Sequence, residues 1–125
     1  MTPSTPYAHA VVLIDQHKAQ IIRFNADAHH TRHLEAHTHE TRQHNSDVRD
    51  SHEFHAAVCD DLAGLDEILI TGGHTAQGLI KHYIEKHRPA LLKHVIGYET
   101  VDHPNEAQLV ALAREFFGRH ERLGH

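Results

Sequence analysis

Two short apolar runs separated by three polar residues decide how this chain must begin to fold. Residues 9–15 (HAVVLID) and 19–24 (AQIIRF) are rich in β-branched side chains and too short for stable helices. Gln16, His17 and Lys18 between them leave room only for a tight turn, so the runs pair as an antiparallel hairpin. Residues 29–39 alternate loosely, with Leu34 and Ala36 on one side and His33, Glu35 and His37 on the other. That pattern predicts a third strand, whose charges suit a solvent-facing edge.

The rest of the chain changes period. Residues 40–50 (ETRQHNSDVRD) have no apolar repeat and read as a loop. Asp50 and Glu53 stand at the spacing of a capping box, ahead of a helix through Phe54, Val58 and Leu62 that Gly64 stops. Residues 67–71 (EILIT) predict a buried strand ended by Gly72 and Gly73. Thr75 is placed to cap a helix whose Ala76, Leu79, Ile80, Tyr83 and Ile84 fall at helical spacing, and Arg88 before Pro89 ends it. Residues 94–100 (HVIGYET) predict the last strand. Pro104 suits a first helical position, with Leu109, Leu112, Ala113 and Phe116 as the buried face beyond it. The order β-β-β-α-β-α-β-α gives an α/β mixed sheet with helices on its faces, the ribonuclease-H-like arrangement. We expect one domain over residues 7–118, a disordered start at 1–6 and a frayed tail at 119–125.

Composition narrows the chemistry. No apolar run is long enough to span a bilayer, and residues 1–6 lack the basic and apolar regions of a signal peptide, so the cytoplasm is the expected compartment. Cys59 is the only cysteine, which excludes an intrachain disulfide and a multi-cysteine zinc site. The formal charge is -5 with histidine neutral, but there are 17 histidines. Near pH 7 roughly a quarter of imidazoles carry a proton, enough to bring the net charge close to zero. The chain therefore becomes cationic over a small fall in pH.

Residues 51–62 (SHEFHAAVCDDL) and 66–117, with their strand, glycine turn, helix, strand and final helix, resemble the central domain of the archaeo-eukaryotic release factors and Pelota. The chain is similar to short, often His-rich, stand-alone bacterial relatives of that domain, described as translational machinery proteins. In release factors the loop between the third strand and first helix carries Gly-Gly-Gln, which enters the peptidyl-transferase centre. Here that loop, residues 36–50, contains no glycine, and the one Gly-Gly pair, Gly72-Gly73, precedes His74 after the fourth strand. The resemblance thus implies a non-enzymatic accessory factor that meets the ribosome or structured RNA, of the rescue or dormancy type. Its expected contact region is Arg32, His33, His37, His39, Arg42, His44 and Arg49.

Three other readings compete at the level of residues. Gly72, Gly73, His74 and Thr75 put free N–H groups at a helix start, an anion-binding turn to which Gln77 can add a hydrogen bond, although a plain strand-to-helix turn has the same sequence. His37 with His39, and His52 with His55, are pairs that can take zinc or nickel, while no cofactor is required by the main reading. His52 and His55 are three apart with Glu53 between them, which is not the metalloprotease spacing. A nuclease of this fold needs converging carboxylates. Asp15 ends the first strand where one would sit, but Glu53 and Asp102 both have capping roles open to them.

Overall fold

A computed structural model describes residues 8–25, 28–36 and 45–124, with the backbone alone for 45–50 and 120–124. Its elements are β1 (His9–Ile14), β2 (Lys18–Phe24), β3 (His29–Glu35), α1 (Asn45–Leu62), β4 (Glu67–Gly72), α2 (His74–His87), a 3-10 segment (Pro89–His94), β5 (Val95–Thr100) and α3 (Glu106–Gly124). The five strands form one sheet in the order β3-β2-β1-β4-β5. β1 pairs antiparallel with β2, and β2 with β3; β1–β4 and β4–β5 are parallel. This is the mixed, ribonuclease-H-like sheet that the order of apolar runs implies.

β1 and β4 are central strands, buried on both faces, which is why they read as continuous apolar runs instead of alternating. On one face Ala10, Val12, Ile14, Ile21, Ile68 and Ile70 meet Phe54, Val58 and Leu62 of α1 and Ala76, Ile80 and Ile84 of α2. On the other, Val11, Ile22, Phe24 and Leu69 meet Leu109, Val110, Ala113 and Phe117 of α3. Each fully buried Leu, Ile or Phe contributes about 1.5–3 kcal/mol, so the two layers hold the sheet between them. Cys59 belongs to the first layer, and its burial pushes the thiol up to about 11. β3 is an exposed edge strand, with Leu34 packed toward the first layer and its neighbours His33 and Glu35 exposed.

Several boundaries differ from the sequence expectation. α1 begins at Asn45, so Asp50 lies inside the helix and is not its cap. A polar first turn has no apolar period and is invisible to that test. α2 is preceded by Gly73 as its cap residue, without a side-chain cap bond, and Thr75 is already helical. Leu79 is 45% exposed, so the buried stripe of α2 is Ala76, Ile80 and Ile84. α3 starts at Glu106, not at Pro104, under a reciprocal capping box: Asn105 Oδ1 accepts from Gln108 N–H at 2.8 Å, and Gln108 Oε1 accepts from Asn105 N–H at 2.9 Å. Its deepest face is Leu109, Ala113 and Phe117, rotated from the expected set, with Leu112 and Phe116 only half-buried. The helix continues to Gly124, across residues expected as a tail. Gly64 does stop α1, in the left-handed conformation at φ 89.

Candidate functional site

The carboxyl ends of β1 and β4 open into a cleft of about 680 Å3. α2 leaves β4 toward one face of the sheet and α3 follows β5 on the other, and open α/β sheets hold ligands at such a divergence. Asp15, Lys18, His33, Glu35, Gly72, Gly73, Asp102 and His103 line the cleft beside Leu13, Ile14, Leu34 and Val101. Two sets of candidates far apart in sequence thus meet: His33 from the edge strand and the Gly72-Gly73 turn.

Each wall has a local cause. Asp15 ends β1 in a side-chain turn, its Oδ1 accepting the N–H groups of His17 at 2.8 Å and Lys18 at 2.7 Å. Gly72 stands opposite Ile14 in the β1–β4 ladder at φ 147, and a Cβ there would lie 2.3 Å from the Ile14 carbonyl oxygen. The glycine is therefore required by the close approach of two backbones. Gln77, expected as an anion donor, is committed elsewhere: its Nε2 donates to Gly72 C=O at 2.7 Å and to Thr100 Oγ1 at 3.0 Å. It clamps the turn to the end of β5. His74 and Thr75 are exposed at a helix start that has neither a side-chain cap nor an acidic first turn, so the positive end of α2 is left open to solvent.

The basic tract is divided by the pleat. Arg32 lies opposite Ile21 on the α1 side, whereas His33 lies opposite Gln20 on the α3 side. Arg32 Nε pairs with Asp61 Oδ1 at 3.4 Å, and Arg23 Nη2 reaches the same oxygen at 2.8 Å. On the opposite face Glu106 of α3 reaches Gln20 at 3.3 Å and His29 at 3.0 Å. Adjacent residues on a strand cannot share a face, so any patch including both Arg32 and His33 wraps around the sheet edge. His37, His39, Arg42 and His44 lie outside the described residues, as does the side chain of Arg49.

The nuclease reading would draw on Asp15, Glu53 and Asp102. Asp15 and Asp102 border the same cleft, but Asp15 is the turn-former just described, and Asp102 is exposed beside His103 at 3.5 Å, away from the cap of α3. Glu53 is on the exposed side of α1. Among the described residues no group of three or more His, Cys, Asp or Glu side chains is placed to hold a metal ion.

His52 and His55 do share a face of α1, and the partners that sequence spacing missed are on α2. Tyr83 lies with its ring centre 5.8 Å from His52 and 5.5 Å from His55, and His87 is 5.5 Å from His52. The signal was present as the i, i+4, i+5 pattern His82, Lys86, His87, which periodicity tests for apolar residues pass over. Burial, and then the neighbouring His52, holds the His55 imidazole below its ordinary 6.5. The folded chain thus keeps His55 neutral where the unfolded chain takes up a proton. The contribution of His55 to stability is full above about pH 6.5 and declines as pH falls from there toward the lowered folded value. His55→Leu should remove that part of the decline, seen as a flatter plot of Tm against pH; identical slopes in both proteins would show that His55 is not responsible.

No protein-family model matches the chain, and no curated protein sequence matches it. Solved structures do. An archaeal translation termination factor, aRF1, matches 93% of this chain at a TM-score of 0.56 and 13% identity, over 41% of its own length. Archaeoglobus fulgidus Pelota matches 93% at a TM-score of 0.57 and 12% identity, over 32% of its length. The chain spans less than half of either, and at these identities the likeness is one of fold. No helix among the described residues is long and apolar enough to cross a membrane.

Proposed function

We propose that this chain is a non-catalytic factor of translation that associates with the ribosome or structured RNA, of the rescue or dormancy type. The observation that carries this reading is the match of nearly the whole chain to one part of a translation termination factor and of Pelota. The glycine pair supports the non-catalytic half of it. Gly72 is consumed by the approach of β4 to β1, and the segment between β3 and α1 has no glycine at all. Contact is made by the β3 edge, the segment that follows it and the cleft bordered by Lys18, His33 and the Gly72-Gly73 turn.

Binding of this kind is dominated by phosphate charge and therefore depends on salt. Titrating labelled protein with isolated ribosomes over a range of salt should give affinity that falls steeply with salt and rises as pH is lowered. Replacing both Lys18 and His33 by Gln should weaken binding and reduce the salt slope by about one unit per lost phosphate contact. Affinity that is independent of salt, or unchanged in the double variant, would place the contact elsewhere. Zinc or nickel, the competing reading of the histidines, predicts the opposite pH trend, because protonated imidazoles release metal.

A further inference from the structure

The histidine face of α1 meets α2 along a second, smaller cleft of about 120 Å3. Its lining includes His52 and His55 from α1 and His82, Tyr83, Lys86 and His87 from α2 and, among the described residues, no carboxylate. The rings form one packed group, with Tyr83 4.8 Å from His87 and 5.5 Å from His55 between centres. A cation entering this space would meet the Lys86 ammonium and any charged imidazole, and among the described residues no three His, Cys, Asp or Glu side chains are placed to hold a metal ion. An anion has the reverse electrostatics: among the described residues, every titratable group lining the cleft is a donor or becomes one on protonation.

His55 borders the cleft from its inner side: the residue is 5% exposed and its ring packs on Phe54 and Tyr83, at 5.7 and 5.5 Å between centres. An acceptor oxygen seated in the cleft would meet this imidazole together with the donors of the other walls. The volume selects the size of that acceptor. Pockets for whole small molecules run from about 300 Å3 upward, so this one has room for a single tetrahedral oxyanion and not for a nucleoside.

We infer that the α1–α2 cleft binds one phosphoryl group, held by Lys86 and the imidazoles of His52, His55, His82 and His87, with the Tyr83 hydroxyl as a further donor. The assignment is separate from the contact at β3 and stands whether or not the chain meets the ribosome. A phosphate monoester and the phosphodiester of an RNA backbone present the same oxygens, and both fit. Binding strengthens as pH falls and the imidazoles gain charge.

Sulfate is the cleanest first probe, because its charge is constant across the range in which histidine titrates. Imidazole resonances of the full chain are followed by NMR as sulfate replaces chloride at fixed ionic strength, with chelator present, at about pH 6 and about pH 7.5. The expected result is saturable shifts at His52, His55 and His87, stronger at the lower pH. They should weaken about tenfold or more in the double variant Lys86→Gln/His87→Gln, which removes two charge-assisted donors, and persist in Lys93→Gln, outside the cleft. Both sites of the double variant are exposed, so the fold is kept. Unsaturable shifts, or shifts indifferent to the double variant, would overturn the assignment. A short oligoribonucleotide with a 5′-phosphate and its 5′-hydroxyl counterpart then compete with the sulfate. Displacement by the first alone identifies a monoester, displacement by both identifies the backbone, and displacement by neither overturns the phosphoryl reading.

Discussion

Gly72→Ala should destabilise the chain by roughly 3 kcal/mol or more, the combined scale of a strained backbone and an overpacked core. The methyl group would sit 2.3 Å from the Ile14 carbonyl oxygen, and that oxygen belongs to the central strand of the sheet, with β2 on its other side. Neither strand can move aside without breaking the β1–β4 register, in which Ile14 and Gly72 are partners. The backbone at φ 147 adds its own strain for any L-residue. Moreover, Gly72 C=O accepts from Gln77 Nε2 and from Val101 N–H, so a shift at this residue also loosens the wall of the larger cleft. Gly73→Ala is the control. A Cβ at Gly73 meets nothing within 4 Å, and the residue has φ -75, so its cost should stay within about 1 kcal/mol, the loss of a favourable cap residue. Urea unfolding at unchanged m-value separates the two; equal losses would mean that the glycine pair acts through chain flexibility and not through packing.

Asp61→Ala should cost about 2–4 kcal/mol, approaching the range for breaking a buried ion pair by removing one partner. The Asp61 side chain is only 10% exposed and the Arg23 side chain 22% exposed. Arg23 Nη2 holds both the Asp61 carboxylate and its backbone carbonyl, at 2.8 and 2.7 Å, so deleting the carboxylate leaves a half-buried guanidinium with one acceptor in place of two. This pair ties the end of α1 to β2. Arg32→Gln is the informative comparison, since Arg32 shares Asp61 but is 55% exposed and pairs at 3.4 Å. A solvated pair of that kind contributes at most about 1 kcal/mol. Matched denaturation curves for the two variants measure the contrast, and comparable losses would show that the network at Asp61 is not dominated by Arg23.

The sheet was legible because its signals are local and strong. Residues 9–15, 19–24 and 67–71 have few ways to be buried other than as strands, and a three-residue turn leaves the first two a single pairing. Helix boundaries were less legible wherever polarity carried the end. The first turn of α1 has no apolar residue to reveal it until Val48, and the Asn105–Gln108 box was hidden behind the more conspicuous Pro104. At the site, the sequence could nominate His33 and the Gly72-Gly73 turn but could not join them, because what joins them is the strand order. It could not see that Gln77 is spent on Gly72 and Thr100, a matter of side-chain reach across 23 residues of chain. The pleat explains the division of Arg32 from His33, which was readable from alternation alone. The interhelical meeting of His52 and His55 with His82 and His87 depends on how α1 and α2 pack, which no spacing within either helix encodes.

The proposed contact with the ribosome or structured RNA is one of charge and requires no metal. Sucrose-gradient sedimentation of purified protein with isolated ribosomes, with and without chelator and at two salt concentrations, tests it most directly. We expect the protein to travel with ribosomal fractions at low salt, to leave them at high salt, and to be unaffected by chelator. Protein that stays at the top of every gradient, or that enters ribosomal fractions only when metal is free, would contradict the account.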